Sequence, residues 1–428
     1  VPAPRGDGSF DFAWQTDGGA EVLFVSHVAP SGSGYELKFS LELPSLGQIG
    51  GLAVAEDGSP VVATAILEAI DKSTTPATTH RDGILQLVRV GANCGETYRV
   101  DLRTDFDGNS ERLPIYQPYQ AGTSRLSLGA GAFVLHYAQM TEYDAGVSSR
   151  HQIGRYLVGQ VDTGALSAVV GSISHSFDQR VRFDGTDFVS LALGDASLRG
   201  IALSRLTPEG QKSEKTLFAI KGGDSETGGG YNNTFTRLGD LRPSASGYVS
   251  LFATERGDER AQNVNVSRNL AWVHSPAGFH EIAQPEKYMV TVADTATGND
   301  AADDFEVSIL DYWGEAFPGH NHGIVWLTDY DDRLTAHAER PKVVRWGADR
   351  FYVLWEKWTL TQFEATYAMV VDEWGHTIVP ATSLGAVRLS RHDDAFLLDG
   401  KAAWLTSIGG TVQLHLVDAT LALTSHTL

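Results

Sequence analysis

Three histidines, a tyrosine and an arginine raise the first chemical question. His136, His151 and His175 are side chains that move a proton near neutral pH, and with Tyr231 beside Arg237 they could form a general acid–base group. A histidine–tyrosine set beside arginine suits removal of a proton next to a uronic carboxylate. The competing reading is structural, with loop histidines satisfied by their neighbours and Tyr231 serving as a face on which a sugar stacks.

A second set is cationic. Arginine opens an expected strand five times, at Arg125, Arg180, Arg237, Arg340 and Arg388, and Arg199 and Arg256 stand in or beside expected loops. A ring of guanidinium groups would take a carboxylate or sulfate through paired hydrogen bonds, with Glu356 and Trp358 in the same region completing a ligand site. Recurrence at one position also fits a scaffold, each arginine tying its blade to an Asp or Glu of a neighbour.

Two segments have the donors of a metal site. Asp105, Asp107, Asn109 and Glu111 alternate oxygen-bearing side chains, as Ca²⁺ prefers, although Ser110 and Leu113 replace residues that a regular calcium loop would use. A solvated turn is the alternative there. His320-Asn-His322 places two imidazoles on one face if extended, a pattern for a transition metal and a weaker expectation than calcium.

Other chemistries are excluded or disfavoured. The run from Gly222 to Gly230 lacks the Gly-Lys-Ser/Thr ending of a phosphate loop and contains no Gly-x-Ser-x-Gly elbow. A lone Cys94 forms no internal disulfide. The net charge of −20 repels a nucleic-acid backbone. No apolar run approaches the roughly 20 residues that span a bilayer. Val1-Pro-Ala-Pro4 reads as a processed end, from which a secreted or periplasmic protein is expected.

These side chains need a scaffold of short strands. Apolar residues alternate or run in fours to sixes between Gly, Asp, Asn and Ser, and helical periodicity is almost absent. The clearest unit, Gln179 to Leu206, reads as strand, Asp184-Gly185 turn, strand, loop, strand. Second strands are expected at 22–27, 61–66, 132–137, 188–192, 248–252, 351–355 and 402–406. Turns at Asp57-Gly58, Ser246-Gly247, Gly347–Asp349 and Asp399-Gly400 precede four of them. This grammar resembles the repeat of secreted bacterial β-propellers. The resemblance implies one all-β propeller, with blades near 1–45, 46–112, 113–170, 171–222, 231–285, 335–384 and 385–428. Seven blades are expected, and eight if 286–334 forms a degenerate blade on Gly323–Thr328 rather than an insertion. Phe10–Trp14 is expected to add a strand to the last blade.

In such a fold the second-to-third-strand loops and the inter-blade loops open on one face, where a ligand is expected. The leading functional expectation is an extracellular recognition module for a glycan or small anionic ligand, acting as a monomer. The alternative is a secreted lyase- or hydrolase-type enzyme using the His/Tyr/Arg set, with 286–334 as a lid or metal-bearing loop.

Overall fold

The computed structural model describes residues 1–16, 22–43, 47–67, 80–91, 95–102, 113–116, 124–142, 150–174, 178–194, 199–220, 237–255, 267–276, 290–291, 307–308, 325–332 and 334–428. Every described element is a strand, and the strands form the antiparallel sheets of a seven-bladed β-propeller.

Blade one is β1 (Pro2–Pro4), β2 (Phe10–Gln15), β3 (Leu23–Ser31) and β4 (Gly34–Leu43). Blade two is β5 (Gln48–Val54), β6 (Pro60–Leu67), β7 (His80–Val90) and β8 (Glu96–Leu102). A short strand, β9 (Leu113–Tyr116), then pairs with both β7 and the second strand of blade three. Blade three itself is β10 (Ser124–Gly129), β11 (Ala132–Glu142), β12 (Arg150–Gln160) and β13 (Leu166–Ser174). Because β9 bonds to each neighbour, blades two and three merge into one nine-stranded sheet.

Blade four is β14 (Gln179–Phe183), β15 (Phe188–Gly194), β16 (Arg199–Leu206) and β17 (Lys212–Ile220). Blade five begins with β18 (Arg237–Pro243), β19 (Gly247–Glu255) and β20 (Arg268–Pro276). A separate two-stranded pair, β21 (Val290–Thr291) and β22 (Val307–Ser308), follows before β23 (Val325–Trp326) returns to pair with β20. Blade six is β24 (His337–Trp346), β25 (Arg350–Thr359), β26 (Gln362–Asp372) and β27 (Thr377–Gly385). Blade seven is β28 (Phe396–Leu398), β29 (Lys401–Ile408), β30 (Thr411–Val417) and β31 (Leu423–Thr427).

The chain divides into two compact units, one of residues 1–189, 205–212 and 428, the other of 190–204 and 213–427. In the first, Leu23, Val25 and Ala13 of blade one pack with Leu52, Val62 and Val88 of blade two. Leu85 and Leu87 pack in turn with Phe133, Leu135 and Leu157 of blade three. In the second, Trp272 and Leu251 meet Phe351, Val353 and Trp355, and on the other face of blade six Tyr352 and Leu354 meet Trp404 and Val417. Alternation along each strand sends one apolar row to each neighbouring blade, which is why these strands bury both faces.

The first turns follow from their sequence. The Asp57 carboxylate accepts the amide of Ser59 at 2.9 Å, and Gly58 takes the positive φ of 82° that closes the hairpin. Asp7, Gly8 and Ser9 repeat that arrangement, with Asp7 accepting the Ser9 amide at 3.0 Å.

Three expectations need correction. The stretch 22–27 lies in the third strand of blade one; the second is Phe10–Gln15, which follows the Asp7-Gly8 turn. For the same reason Phe10–Trp14 is paired on both edges inside blade one, and blade seven is built from residues 396–427 alone. The 286–334 stretch builds no eighth blade: Val325 and Trp326 are the outer strand of blade five. The excursion leaves β20 at Pro276, opposite Gly247 and so beside the first turn. The second-to-third loop springs from the other end of that strand, where Arg268 faces Glu255.

Candidate functional site

Four of the residues expected to bind ligand, Arg340, Arg388, Glu356 and Trp358, converge in the second unit. The ladder between β24 and β25 is bulged between Glu339 and Lys342. Pro341 has no N–H to give to the ladder, and Arg340 sits at φ +52°, a left-handed conformation costly for a long side chain. The bulge aims Arg340 sideways, and its Nη1 donates to Leu389 O at 2.7 Å and to Glu356 Oε1 at 3.3 Å.

Glu356 is 0% exposed. Its Oε1 also accepts the Leu389 amide at 2.8 Å and Arg388 Nε at 3.0 Å. Oε2 accepts Arg388 Nη2 at 3.2 Å and the Trp358 indole Nε1 at 2.8 Å. A buried carboxylate is tolerated only with such partners. The Arg388 guanidinium lies 4.9 Å from the Trp358 ring centre and 4.3 Å from that of Phe363, two rings inclined at 67° to each other. Burial pulls the Arg340 pKa below its ordinary value, Glu356 opposes this, and the nearby charges of Arg388 and Arg391 push it down further. Arg391 is exposed, and no carboxylate among the described residues pairs with it.

A second node adjoins the first. Glu339 pairs with Arg268, with Arg237 Nε at 3.7 Å and with His337 Nε2 at 3.5 Å; Arg268 and His337 are buried. Lys342, also buried, donates to Asp393 O at 2.7 Å. Arg237, expected in the catalytic set, thus stands as a counter-ion of Glu339.

The remaining expected residues are placed separately. In the first unit, buried Arg125 is the cross-strand partner of His136 and donates to Ser124 O. Arg180, buried too, pairs with Asp178 and donates to Gln179 O at 2.9 Å. His136 is fully buried, its ring 5.3 Å from that of Tyr156, and neither ring nitrogen has a hydrogen-bond partner. Burial first, and the Arg125 charge second, hold its pKa well below the ordinary histidine value, so it is neutral. His151 lies in β12 opposite Thr141, and Arg199 opens β16. His175, Tyr231, Arg256, Asp105, Asp107, Asn109, Glu111, His320 and His322 lie outside the described residues.

Of the five recurring arginines, Arg237 and Arg388 pair with a carboxylate of blade six from outside it, Arg340 pairs within that blade, Arg180 pairs with Asp178 two residues away, and Arg125 donates to Ser124 O. What the sequence reasoning missed is Arg268, Glu339 and Arg391. Glu339 immediately precedes Arg340, and a charge at each strand head was the available signal. Other buried histidines are internal ties: His274 shares hydrogen bonds with Ser244 and Ser246, and His415 with Thr406 and Ser425. Among the described residues no group of three metal-ligating side chains is assembled. No helix among them is long and apolar enough to cross a membrane.

No protein-family model matches the chain, and no curated protein matches it. Solved structures similar to it include the polysaccharide lyase Uly1, at 10% identity over 90% of this chain and 81% of that one, TM-score 0.49. A Trypanosoma rangeli sialidase in complex with sialic acid is 9% identical over 98% of this chain and 68% of that one, TM-score 0.43. A prolyl endopeptidase is 12% identical over all of this chain but 46% of its own, TM-score 0.43, so the chain spans less than half of that protein. At such distances none of them bears on activity, and the strand topology carries the fold.

Proposed function

We propose that this chain is a recognition module whose arginines on β18, β20, β24 and the segment between β27 and β28 bind an anionic ligand, a glycan by class. One observation carries the reading: in a chain of net charge −20, Arg237, Arg268, Arg340 and Arg388 gather on two carboxylates, with Arg391 beside them and no carboxylate among the described residues paired to it. Local positive potential in an acidic protein steers an anion to that patch and keeps other anions off the rest of the surface. A polysaccharide ligand implies an extracellular or periplasmic setting. The catalytic alternative retains one histidine among the described side chains of its set, His136, and that imidazole is enclosed by protein.

The test is retention of the protein on immobilised acidic and neutral polysaccharides at increasing salt, with new chain ends assayed in the same samples. Retention on acidic polymers alone, lost with salt and without new ends, is expected. Equal retention on neutral polymers, or no retention, overturns the reading; new ends with turnover replace it with the enzymatic one.

A further inference from the structure

We infer that the connector between blades six and seven, residues 386–395, is the recognition loop of the anionic site. Arg388 and Arg391 touch the ligand, and Trp404, Arg340 and Lys342 are positioning residues that hold the loop in place. The inference rests on the anionic-ligand reading above and assigns the segment and the roles within that patch.

The connector runs from the end of β27 at Gly385 to the start of β28 at Phe396 and belongs to no strand. Such a segment leaves its carbonyls to water or to side chains. Here side chains of three blades claim them. Thr366 Oγ1 donates to Val387 O, Trp404 Nε1 to Arg388 O at 2.9 Å and Arg340 Nη1 to Leu389 O at 2.7 Å. Lys342 Nζ donates to Asp393 O at 2.7 Å, and Arg242 Nη2 to Ala395 O at 2.9 Å. The Leu389 amide is held as well, by Glu356 at 2.8 Å. Thr366, Lys342, Trp404 and Glu356 are buried, which shelters these bonds from water. Between the held carbonyls, the Ser390 hydroxyl accepts the Asp393 amide at 3.1 Å and donates to the Asp393 carboxylate at 3.1 Å. Arg391, inside that turn, is exposed.

This order matters because charge alone attracts little here. Four cations, Arg340, Lys342, Arg388 and Arg391, stand against three carboxylates, Glu356, Asp393 and Asp394. Asp393 and Asp394 closely follow Arg391, and in a loose loop they would be free to pair with the arginines. In the held loop the Asp393 carboxylate is turned back to Ser390, and one oxygen of Asp394 is withdrawn from solvent. Arg388 is fixed on Glu356 with 39% of its side chain exposed. The entropy cost of ordering these groups is met in folding rather than at binding.

The test titrates the full chain calorimetrically with oligogalacturonate and with a sulfated dextran oligomer, and digests it briefly with trypsin, which cuts after arginine. The wild type is expected to bind and to stay uncut after Arg388 and Arg391. Trp404→Phe removes the bond to Arg388 O without changing any charge. It is expected to weaken binding about fivefold, the scale of one net hydrogen bond, and to open the connector to cleavage. Trp272→Phe is the control, because its indole makes the same kind of bond, at 3.0 Å, to Glu373 O in the turn between β26 and β27. It is expected to leave both readouts unchanged. Arg391→Gln is expected to weaken binding at least as much as Trp404→Phe and to leave the chain uncut after Arg388. Cleavage of the wild-type connector, or wild-type affinity in Trp404→Phe or in Arg391→Gln, overturns the inference while leaving the anionic-ligand reading in place. A wild type that binds neither oligomer overturns both. If Trp404→Phe fails to fold, Thr366→Val, which removes the bond to Val387 O, takes its place.

Discussion

Glu339 and Glu356 are direct partners across β24 and β25, yet their carboxylates are claimed from different sides. Arginines of blade five, Arg237 and Arg268, hold Glu339, whereas Arg388, on the segment leading to blade seven, holds Glu356. Like charges opposite one another in a ladder are destabilising. The bulge at Arg340 and Pro341 and the separate cations resolve that conflict, and blade six is thereby tied to both flanks by charge.

Replacing Glu356 by Gln removes the anion on which Arg340 and Arg388 converge. Breaking a buried pair from one side costs about 3 kcal/mol or more. The exposed Glu364, paired with Lys357 at 3.0 Å, is the control, and Glu364→Gln is expected to cost less than about 1 kcal/mol. Urea unfolding of both variants measures the difference, and equal effects would refute the buried node as a stabilising element.

Acid is expected to destabilise the protein through His136. Its folded pKa is depressed, so the unfolded chain binds the proton more readily. The stability from keeping the imidazole neutral is fully present above the ordinary value of 6.5 and declines as pH falls below it towards the folded pKa. His415, depressed by burial, acts in the same direction. Unfolding free energy measured from pH 8 to pH 5 should fall, and His136→Phe should flatten part of that slope. An unchanged slope in the variant would contradict the assignment.

Gly51 of β5 and Leu126 of β10 bring two first strands into close approach. A Cβ on Gly51 would stand 2.7 Å from Leu126 Cβ and 3.0 Å from its amide nitrogen. Gly51→Ala therefore forces a backbone shift between blades two and three, at about 1–3 kcal/mol. Gly6, where nothing lies within 4 Å of a built Cβ and no positive φ adds strain, is the control for space alone. A Tm for Gly51→Ala equal to wild type would count against the packing described.

Arg89 links two blades through their turns. Its Nη2 donates to Asp57 at 2.7 Å and its Nη1 to Asp162 at 2.8 Å, with Val161 O at 3.4 Å. Both carboxylates are well exposed, so salt screens much of the attraction. Arg89→Met keeps most of the apolar stem and is expected to cost about 1 kcal/mol, less at 1 M salt. A cost that does not change with salt would point to packing as the main role of Arg89.

The sequence made the strands legible because Asp-Gly turns and alternating apolar runs are local signals. The unit from Gln179 to Leu206 reads in the structure as it does on paper. Blade one was displaced by a strand because Val22–His27 is as apolar as any second strand, and the Asp7-Gly8-Ser9 turn that fixes the register was passed over. The outer strand Val325–Trp326 is too short to announce itself and depends on pairing with Ala271 and Trp272, far back in the chain. At the site, Arg340, Arg388, Glu356 and Trp358 were recognisable by type. Their union was not, since it depends on a bulge and on a carboxylate reaching across blades.

Blades one, four, six and seven are each drawn from one unbroken stretch of chain, with no strand lent to another sheet. A gene encoding such a chain can duplicate, lose or exchange the segment for one of these blades and transfer a complete hydrogen-bonded ladder each time. Recombination between strand-to-strand connections would then carry over packing faces and turn residues together. Blade five, whose last strand arrives only after a long excursion, is where such an exchange would have to move two separate pieces.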